Sequence, residues 1–342
     1  MTALIRRARR TSAAVAGLAA TALTVSGCGG AGGGSADDGL NVVATTNVWA
    51  SVARAVGGPG VQVDSIIDDP AADPHSYESS PRDAAKVSDA DLVLVNGGGY
   101  DEFAEQILAG SGQDKPTVQA VEGENEHSHD HGEPAQGENE HAGHEHAGHE
   151  HGGHEHGEHE HGGHDHSTNE HVWYDLHVVR ETADKVAEQL GKQQPQQAQE
   201  FRDNAARFGA QIEDLGSRVD QLAAADRGKK VIVTEPVAHY LVERAGLTDI
   251  APQSFVRSAE EGNDPPAAAV AEIQNAVNSK QAAAVIYNPQ TESPVTKSVR
   301  EAAQRGGTPV VEMTETLPQD QDYLRWMDGQ INDLRQALTA RP

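Results

Sequence analysis

Between residues 122 and 170 the chain carries no Val, Leu, Ile, Met or aromatic carbocycle, and that stretch governs what the rest can fold into. A segment with no apolar surface to bury cannot offset the entropy of ordering itself, so it is expected to stay disordered. Any core must be assembled from the two flanks it separates. The stretch is not featureless. His127 to His166 contain 14 of the chain's 18 His, and a pentad recurs as His144–Gly148, His149–Gly153 and His154–Glu158. A plain solvated spacer has no need of imidazole at that density. Neutral imidazole binds zinc, copper and nickel well, so the segment reads as a metal scavenger or a sensor of metal supply. Its imidazoles titrate near ~6.5, so such binding weakens on mild acidification.

The charge is unevenly placed. Residues 122–170 hold 14 acidic side chains and no Lys or Arg, which leaves −13 of the formal net charge of −27 on the remainder. No basic patch accompanies this sign. Nucleic acid and anionic membrane faces are therefore poor partners, whereas cations are attracted.

Residues 1–28 read as an export signal. Arg6, Arg7, Arg9 and Arg10 form a positive start, and Ser12 to Val25 is an apolar stretch too short to span a bilayer. It ends in Val25-Ser26-Gly27-Cys28, followed by a Gly- and Ser-rich tether over residues 29–39. Small residues before a lone Cys resemble a bacterial lipoprotein signal, in which Cys28 becomes the lipidated N-terminus. Val25 stands where such signals usually have Leu. Cys28 is the only Cys in the chain, which excludes an intramolecular disulfide and a second thiolate site.

The remaining roughly 250 residues are enough for two lobes with their own cores. Strand and helix patterns alternate along them. Asn41–Thr46, Val61–Ile67 and Asp91–Asn96 read as strands, with helices over Trp49–Val56, Arg82–Ala90 and Tyr100–Leu108. The continuous apolar run in Asp91–Asn96 suits a strand covered on both faces, hence a parallel α/β sheet. Asp175–Leu190 reads as a helix. The apolar positions Phe201, Ala205, Phe208, Ile212, Leu215, Val219 and Leu222 then mark a second, long one from about Pro195 to Ala225. At about 1.5 Å per residue it extends for about 45 Å, longer than one lobe needs, and can serve as a spine between two. Alternation restarts with strands over Lys230–Thr234, Ala283–Tyr287 and Thr308–Met313, and helices over Val237–Ala245, Pro265–Ser279, Val295–Arg305 and Tyr323–Leu338. The expected organisation is an N-terminal α/β lobe over residues 40–190 containing the insert 122–170, a linking helix over 195–226, and a C-terminal α/β lobe over 230–342.

Several runs carry a family resemblance. They are Asp73-Pro74-His75-Ser76-Tyr77-Glu78-Ser79-Ser80-Pro81, Ala90 to Gly99, Asn169-Glu170-His171-Val172-Trp173-Tyr174-Asp175, and Thr234 to Leu247 beginning Thr-Glu-Pro-Val-Ala-His. In this order they look like the zinc- and manganese-type solute-binding proteins of ABC importers, over residues 41 to 340 apart from the insert. A His-rich insert at this place is typical of the zinc-type members. The resemblance implies two α/β lobes joined by a long backbone helix, with a metal site in the cleft between them. Position by position, it makes His75 the first ligand and His171 the second. Glu235 falls where zinc-type members have His and manganese-type members often have Glu. Glu315 falls where manganese-type members have Asp. His239, four residues after Glu235, is an alternative or additional ligand if both lie on one helical face. His177 reads as structural.

The resemblance further implies Zn2+ as the bound ion, with Mn2+ as the alternative, since two imidazoles and two carboxylates form a harder site that manganese or iron can share. It implies an extracytoplasmic, lipid-anchored monomer that delivers the ion to an ABC permease and its ATPase. A metal buffer or adhesin without a transport role would present the same site. The residues alone agree in part: His75 lies in a strand-to-helix loop and Glu235 directly follows a strand, and in α/β sheets ligands collect at such carboxyl ends. No enzymatic activity is expected. There is no HExxH, nucleophile elbow or phosphate-binding glycine loop, and Gly97-Gly98-Gly99 reads as a tight turn.

Overall fold

The computed structural model describes residues 39–112, 114–121 and 169–340. The export signal, Cys28, the tether to residue 38 and the His-rich segment to residue 168 lie outside these. Chain order begins with β1 (Asn41–Thr46), α1 (Asn47–Gly57), β2 (Gln62–Ile67), α2 (Pro81–Asp89), β3 (Leu92–Gly97), α3 (Glu102–Ser111) and β4 (Thr117–Val121). Two long helices follow, α4 (Leu176–Gln193) and α5 (Ala198–Asp226). The second series is β5 (Lys230–Val233), α6 (His239–Arg244), β6 (Thr248–Asp249), α7 (Gln253–Glu260), α8 (Ala267–Asn278), β7 (Ala284–Tyr287), α9 (Pro294–Gly306), β8 (Val310–Glu312) and α10 (Tyr323–Thr339).

The strands form two four-stranded parallel sheets, ordered β2-β1-β3-β4 and β6-β5-β7-β8. Each series thus closes the same topology, and the molecule is the two-lobed α/β protein that the alternation predicts. Period-two side-chain placement explains the continuous apolar strands. In β3, Leu92 and Leu94 face one apolar core while Val93 and Val95 face another. In β5, Val231 and Val233 join the first core and Ile232 a separate one with Phe255, Ile273 and Val299.

The first of these cores is common to both lobes. It runs from Leu40, Val42 and Trp49 through the buried face of α5 to Val231, Ile286 and Leu338. α5 has 29 residues, and its buried stripe of Phe201, Ala205, Phe208, Ile212, Leu215, Val219 and Leu222 is the one the spacing predicts. It packs on α1 and α4 of the first lobe and on α6 and α10 beyond it. α10 belongs to the second series, yet its Trp326 lies 5.4 Å from Tyr174 and 5.9 Å from Tyr323, ring to ring.

Several details depart from the sequence reading. β4, β6 and α7 were not anticipated. β4 is five residues long with only Val118 and Ala120 buried, β6 has two residues, and α7 buries only three side chains. Pro195 does not open α5; a turn over Pro195–Gln197 precedes it, with the Ala198 amide bonded to the Pro195 carbonyl. The segment expected as one helix over Val237–Ala245 is a 3-10 turn, Pro236–Ala238, followed by α6. Asn169 and Glu170, counted with the insert, belong to the folded protein.

Trp326 is 2% exposed within the shared core. Trp326→Ala is expected to lower the unfolding free energy by about 3–5 kcal/mol, read from urea denaturation followed by circular dichroism. A single transition should persist, because the lobes share that core; two separated transitions would show that they do not.

Candidate metal centre

His75, Glu235 and Glu315 follow the carboxyl ends of the parallel strands β2, β5 and β8, where ligands collect in α/β sheets. His75 follows β2 in the 3-10 turn Pro74–Ser76. Asp73 caps that turn, its Oδ1 accepting from the His75 amide at 3.0 Å. At the far end of the loop, Ser80 and Asp83 form a capping box that starts α2, and the Tyr77 hydroxyl donates to Asp83 at 2.9 Å. The His75 main chain lies at the surface while its ring turns inward, 24% exposed.

His171 is buried beside Trp173, Tyr100 and His75, whose ring centroid is 5.4 Å away. Asn169 holds it. Asn169 Oδ1 accepts from the His171 amide at 2.8 Å and lies 2.7 Å from Nδ1. Nδ1–H donation to this oxygen leaves Nε2 with the lone pair that a metal requires. Asn169 also reaches the second lobe, donating to the Pro236 carbonyl at 2.7 Å and accepting from the Tyr240 hydroxyl at 2.6 Å.

The second lobe supplies carboxylates. Glu235 follows β5 and Glu315 follows β8, 4% and 1% exposed. Glu315 Oε2 lies 3.2 Å from His75 Nε2 and accepts from the Tyr100 hydroxyl at 3.0 Å, so it is bound from across the cleft. Asn288, just past β7, donates to Glu315 Oε1 at 2.8 Å and to Glu235 Oε2 at 3.2 Å. The Thr291 hydroxyl also donates to Glu235 Oε2. Gln290 accepts from the Glu315 amide at 2.6 Å.

These contacts set the charge states. Burial pulls the His75 pKa down, but contact with Glu315 and the charges of Glu315, Glu170 and Asp73 push it up to about 9. Burial lowers His171 to about 4, so its ring is neutral. Burial and the nearby Glu315 charge raise Glu235 to about 8, against the hydrogen bonds from Thr291 and Asn288. Burial raises Glu170 to about 7, against the attraction of His75. For Glu315, burial acts upward, but its contact with His75, the charge of that ring and the hydrogen bond from Tyr100 outweigh it, and the net shift is downward.

His75 is thus brought against both His171 of its own lobe and Glu315 of the other, while Glu235 lies one residue further out. Donor atoms of His75, Glu170 and His171 lie within 4.8 Å of one another, as do those of Asp73, His75 and Glu315. Glu235 enters through Asn288, the neighbour it shares with Glu315. His239 is not brought in. Its ring is 54% exposed and pairs with Glu243 at 3.7 Å. The shared helical face fails because Glu235 is extended, φ −152 and ψ 157, and α6 begins only at His239. His177 lies on the surface with Glu181. The sequence reading did not single out Tyr100, Asn169, Glu170, Asn288 or Gln290. Asn169 had a signal, an Asx residue two before a His in a loop. Asn288 and Gln290 follow a strand at the same end as the ligands.

This donor set fits a divalent cation. It supplies a neutral imidazole, a second imidazole that can lose its proton, and two buried carboxylates. Glu235 Oε1 is buried without a hydrogen-bond partner, an arrangement that costs free energy unless a cation satisfies the oxygen.

The family described as zinc-uptake complex component A, periplasmic (ZnuA), matches residues 42–337. The manganese-binding lipoprotein MntA of Bacillus subtilis (strain 168) is 27% identical over 213 residues, 61% of this chain and 59% of that protein. The zinc-binding lipoprotein AdcA of Streptococcus pneumoniae (strain ATCC BAA-255 / R6) is 23% identical over 319 residues, 88% of this chain and 56% of that one. The chain thus spans less than two thirds of the length of either relative. Among solved structures, the periplasmic zinc-binding protein TroA from Treponema pallidum has the same fold, with a TM-score of 0.63 and 16% identity over 88% of this chain and 99% of that one.

Raised pKa values make metal binding compete with protons. At pH 7 the metal-free site holds a proton on His75, and a cation at Nε2 of the imidazole must displace it. Binding of Mn2+ is expected to release at least one proton at pH 7, and its apparent affinity to climb between about pH 6 and about pH 9. Calorimetry in buffers of different ionisation enthalpy counts the protons. An uptake of protons, or an affinity that falls as pH rises, would contradict the assignment.

Proposed function

This chain belongs to the family of periplasmic zinc-uptake components, and on that premise we propose that it is the extracytoplasmic metal-binding component of an ABC importer, with zinc as its cargo. The observation that carries this reading is the contact of His75, itself beside His171 in one lobe, with Glu315 of the other lobe, and the link of Glu315 to Glu235 through Asn288. A cation held by both lobes is a natural way to signal occupancy, because the loaded and empty proteins differ where the lobes meet. The lipoprotein-type signal supports anchoring through Cys28 on the outer face of the membrane, as a monomer. The cargo is captured there, the His-rich segment raises its local concentration, and docking on a permease releases it to the membrane domain and its ATPase. No step of this reading requires the chain to catalyse a reaction.

Two observations support zinc: the density of imidazole over residues 127–166, and the intrinsic preference of nitrogen and oxygen donors for zinc over manganese. Manganese is the second reading, and a specific observation favours it. Glu235 and Glu315 make half of the proposed donor set carboxylate, and carboxylate oxygen suits manganese.

Zinc and manganese titrations in direct competition decide between the two. The mature chain and a version lacking residues 127–166 should both retain one tight step, while the deletion lowers total zinc capacity. His75→Ala and His171→Ala should each weaken that step by about 100-fold or more, since first-sphere donors are lost. Tight binding that survives both substitutions would place the site elsewhere. A tight step that takes manganese from an equimolar mixture would make manganese the cargo. Glu235→His should then move preference toward zinc.

A further inference from the structure

Glu170 is not one of the four proposed ligands, yet one of its carboxylate oxygens lies within 4.8 Å of donor atoms of His75 and His171. Its side chain is 20% exposed, and Oε1 lies 3.2 Å from His75 Nδ1. The other nitrogen of the same ring, Nε2, lies 3.2 Å from Glu315 Oε2. The His75 imidazole is therefore held between two carboxylates, one preceding His171 in the chain and one from the opposite lobe. The Glu170 backbone is fixed as well. Asn96, fully buried in β3, donates Nδ2 to the Glu170 carbonyl at 2.9 Å, while its Oδ1 accepts from Trp49 Nε1 at 3.0 Å. The turn after β3 leaves room for the carboxylate. Gly99 has φ 94, and a Cβ there would stand 3.9 Å from Glu170 Oε2.

We propose that Glu170 is a positioning residue for the metal centre. It accepts the Nδ1–H of His75, fixes the tautomer whose lone pair is on Nε2, and aims that lone pair at the ion between the lobes. Imidazoles that bind metals usually carry such an acceptor on the far nitrogen, which sets ring orientation and raises ligand basicity. Asn169 serves His171 in the same way through Nδ1. Consecutive residues thus orient one ring each, Asn169 with an amide oxygen and Glu170 with a carboxyl oxygen.

This inference rests on reading the centre as a metal site, and the two can fail separately. The test uses the full mature chain, with zinc and manganese as probes and Glu170→Ala and Glu170→Gln as variants. Glu170→Ala is expected to weaken the tight step about 10- to 100-fold, the usual effect of losing such an acceptor. Glu170→Gln keeps an acceptor oxygen and should restore most of the affinity. X-ray absorption at the zinc edge, with one equivalent of zinc bound, should show the same number and type of coordinating atoms in all three proteins. Wild-type affinity in Glu170→Ala would overturn the proposal. So would a Glu170→Gln protein as weak as Glu170→Ala with one oxygen missing from the zinc shell, because Glu170 would then be a ligand itself. Tight binding that survives His75→Ala and His171→Ala would instead remove the metal-site reading on which it rests.

Discussion

The structure depends on two carboxylates that it buries. Glu235 and Glu315 are almost wholly removed from water, and an unmatched buried charge costs several kcal/mol. The surrounding loops answer that cost. Glu315 is met by His75 and Tyr100 from the first lobe and by Asn288 from its own. Glu235 is met by Asn288 and Thr291, with one oxygen left over. In the metal-free protein a proton on His75 supplies the positive charge. A divalent cation at the same place would supply more of it and would satisfy the remaining oxygen. The stabilisation of the site and its affinity for a cation therefore have one origin.

Both lobes solve the placement problem with the same strand order, but they divide the chemistry. The inner strands β1 and β5 end in Thr45-Thr46 and lead to Thr234-Glu235, while β3 and β7 reach or precede a fully buried Asn, Asn96 and Asn288. Asn96 ties Trp49 to the Glu170 carbonyl and so organises the lobe that provides imidazoles. Asn288 bridges the two carboxylates of the other lobe. A single amide donor thus satisfies an oxygen of each buried acid without bringing a further charge between them.

The fold was legible wherever burial was two-sided or strictly periodic. The apolar run of β3 and the heptad-like stripe of α5 predict their own elements, because each position is decided by a core that the sequence must fill. β6 escaped notice because two residues carry no period, and α7 because its eight residues include only three that are buried. The candidate ligands His75, His171, Glu235 and Glu315 were legible by resemblance, and His75 and Glu235 also by their position after strands. Their supports were not. Glu170 and Asn288 act across sequence separations that no local pattern encodes, 95 residues from Glu170 to His75 and 53 from Asn288 to Glu235. His239 misled because helical spacing was assumed before the helix began.

Two kinds of link join the lobes, and they differ in how readily they yield. One is polar. The Asn47 amide exchanges hydrogen bonds with the Leu317 backbone at 3.0 and 2.8 Å, and Gln290 donates to the carbonyls of Pro70 and Ala72, just ahead of His75. Each such bond is worth about 0.5–1.5 kcal/mol net. The other is the apolar core shared around α5 and α10, whose loss would expose surface worth about 25 cal/mol per Å2. α5, which carries that core, contains no Pro, and its two Gly are packed, Gly209 against Arg180 and Gly216 against Arg244. The polar link falls on the loop ahead of His75, where Gln290 holds the carbonyls of Pro70 and Ala72 and Thr316 that of Pro70; the one proposed ligand whose main chain faces water is therefore tied to the other lobe by the weaker kind of link.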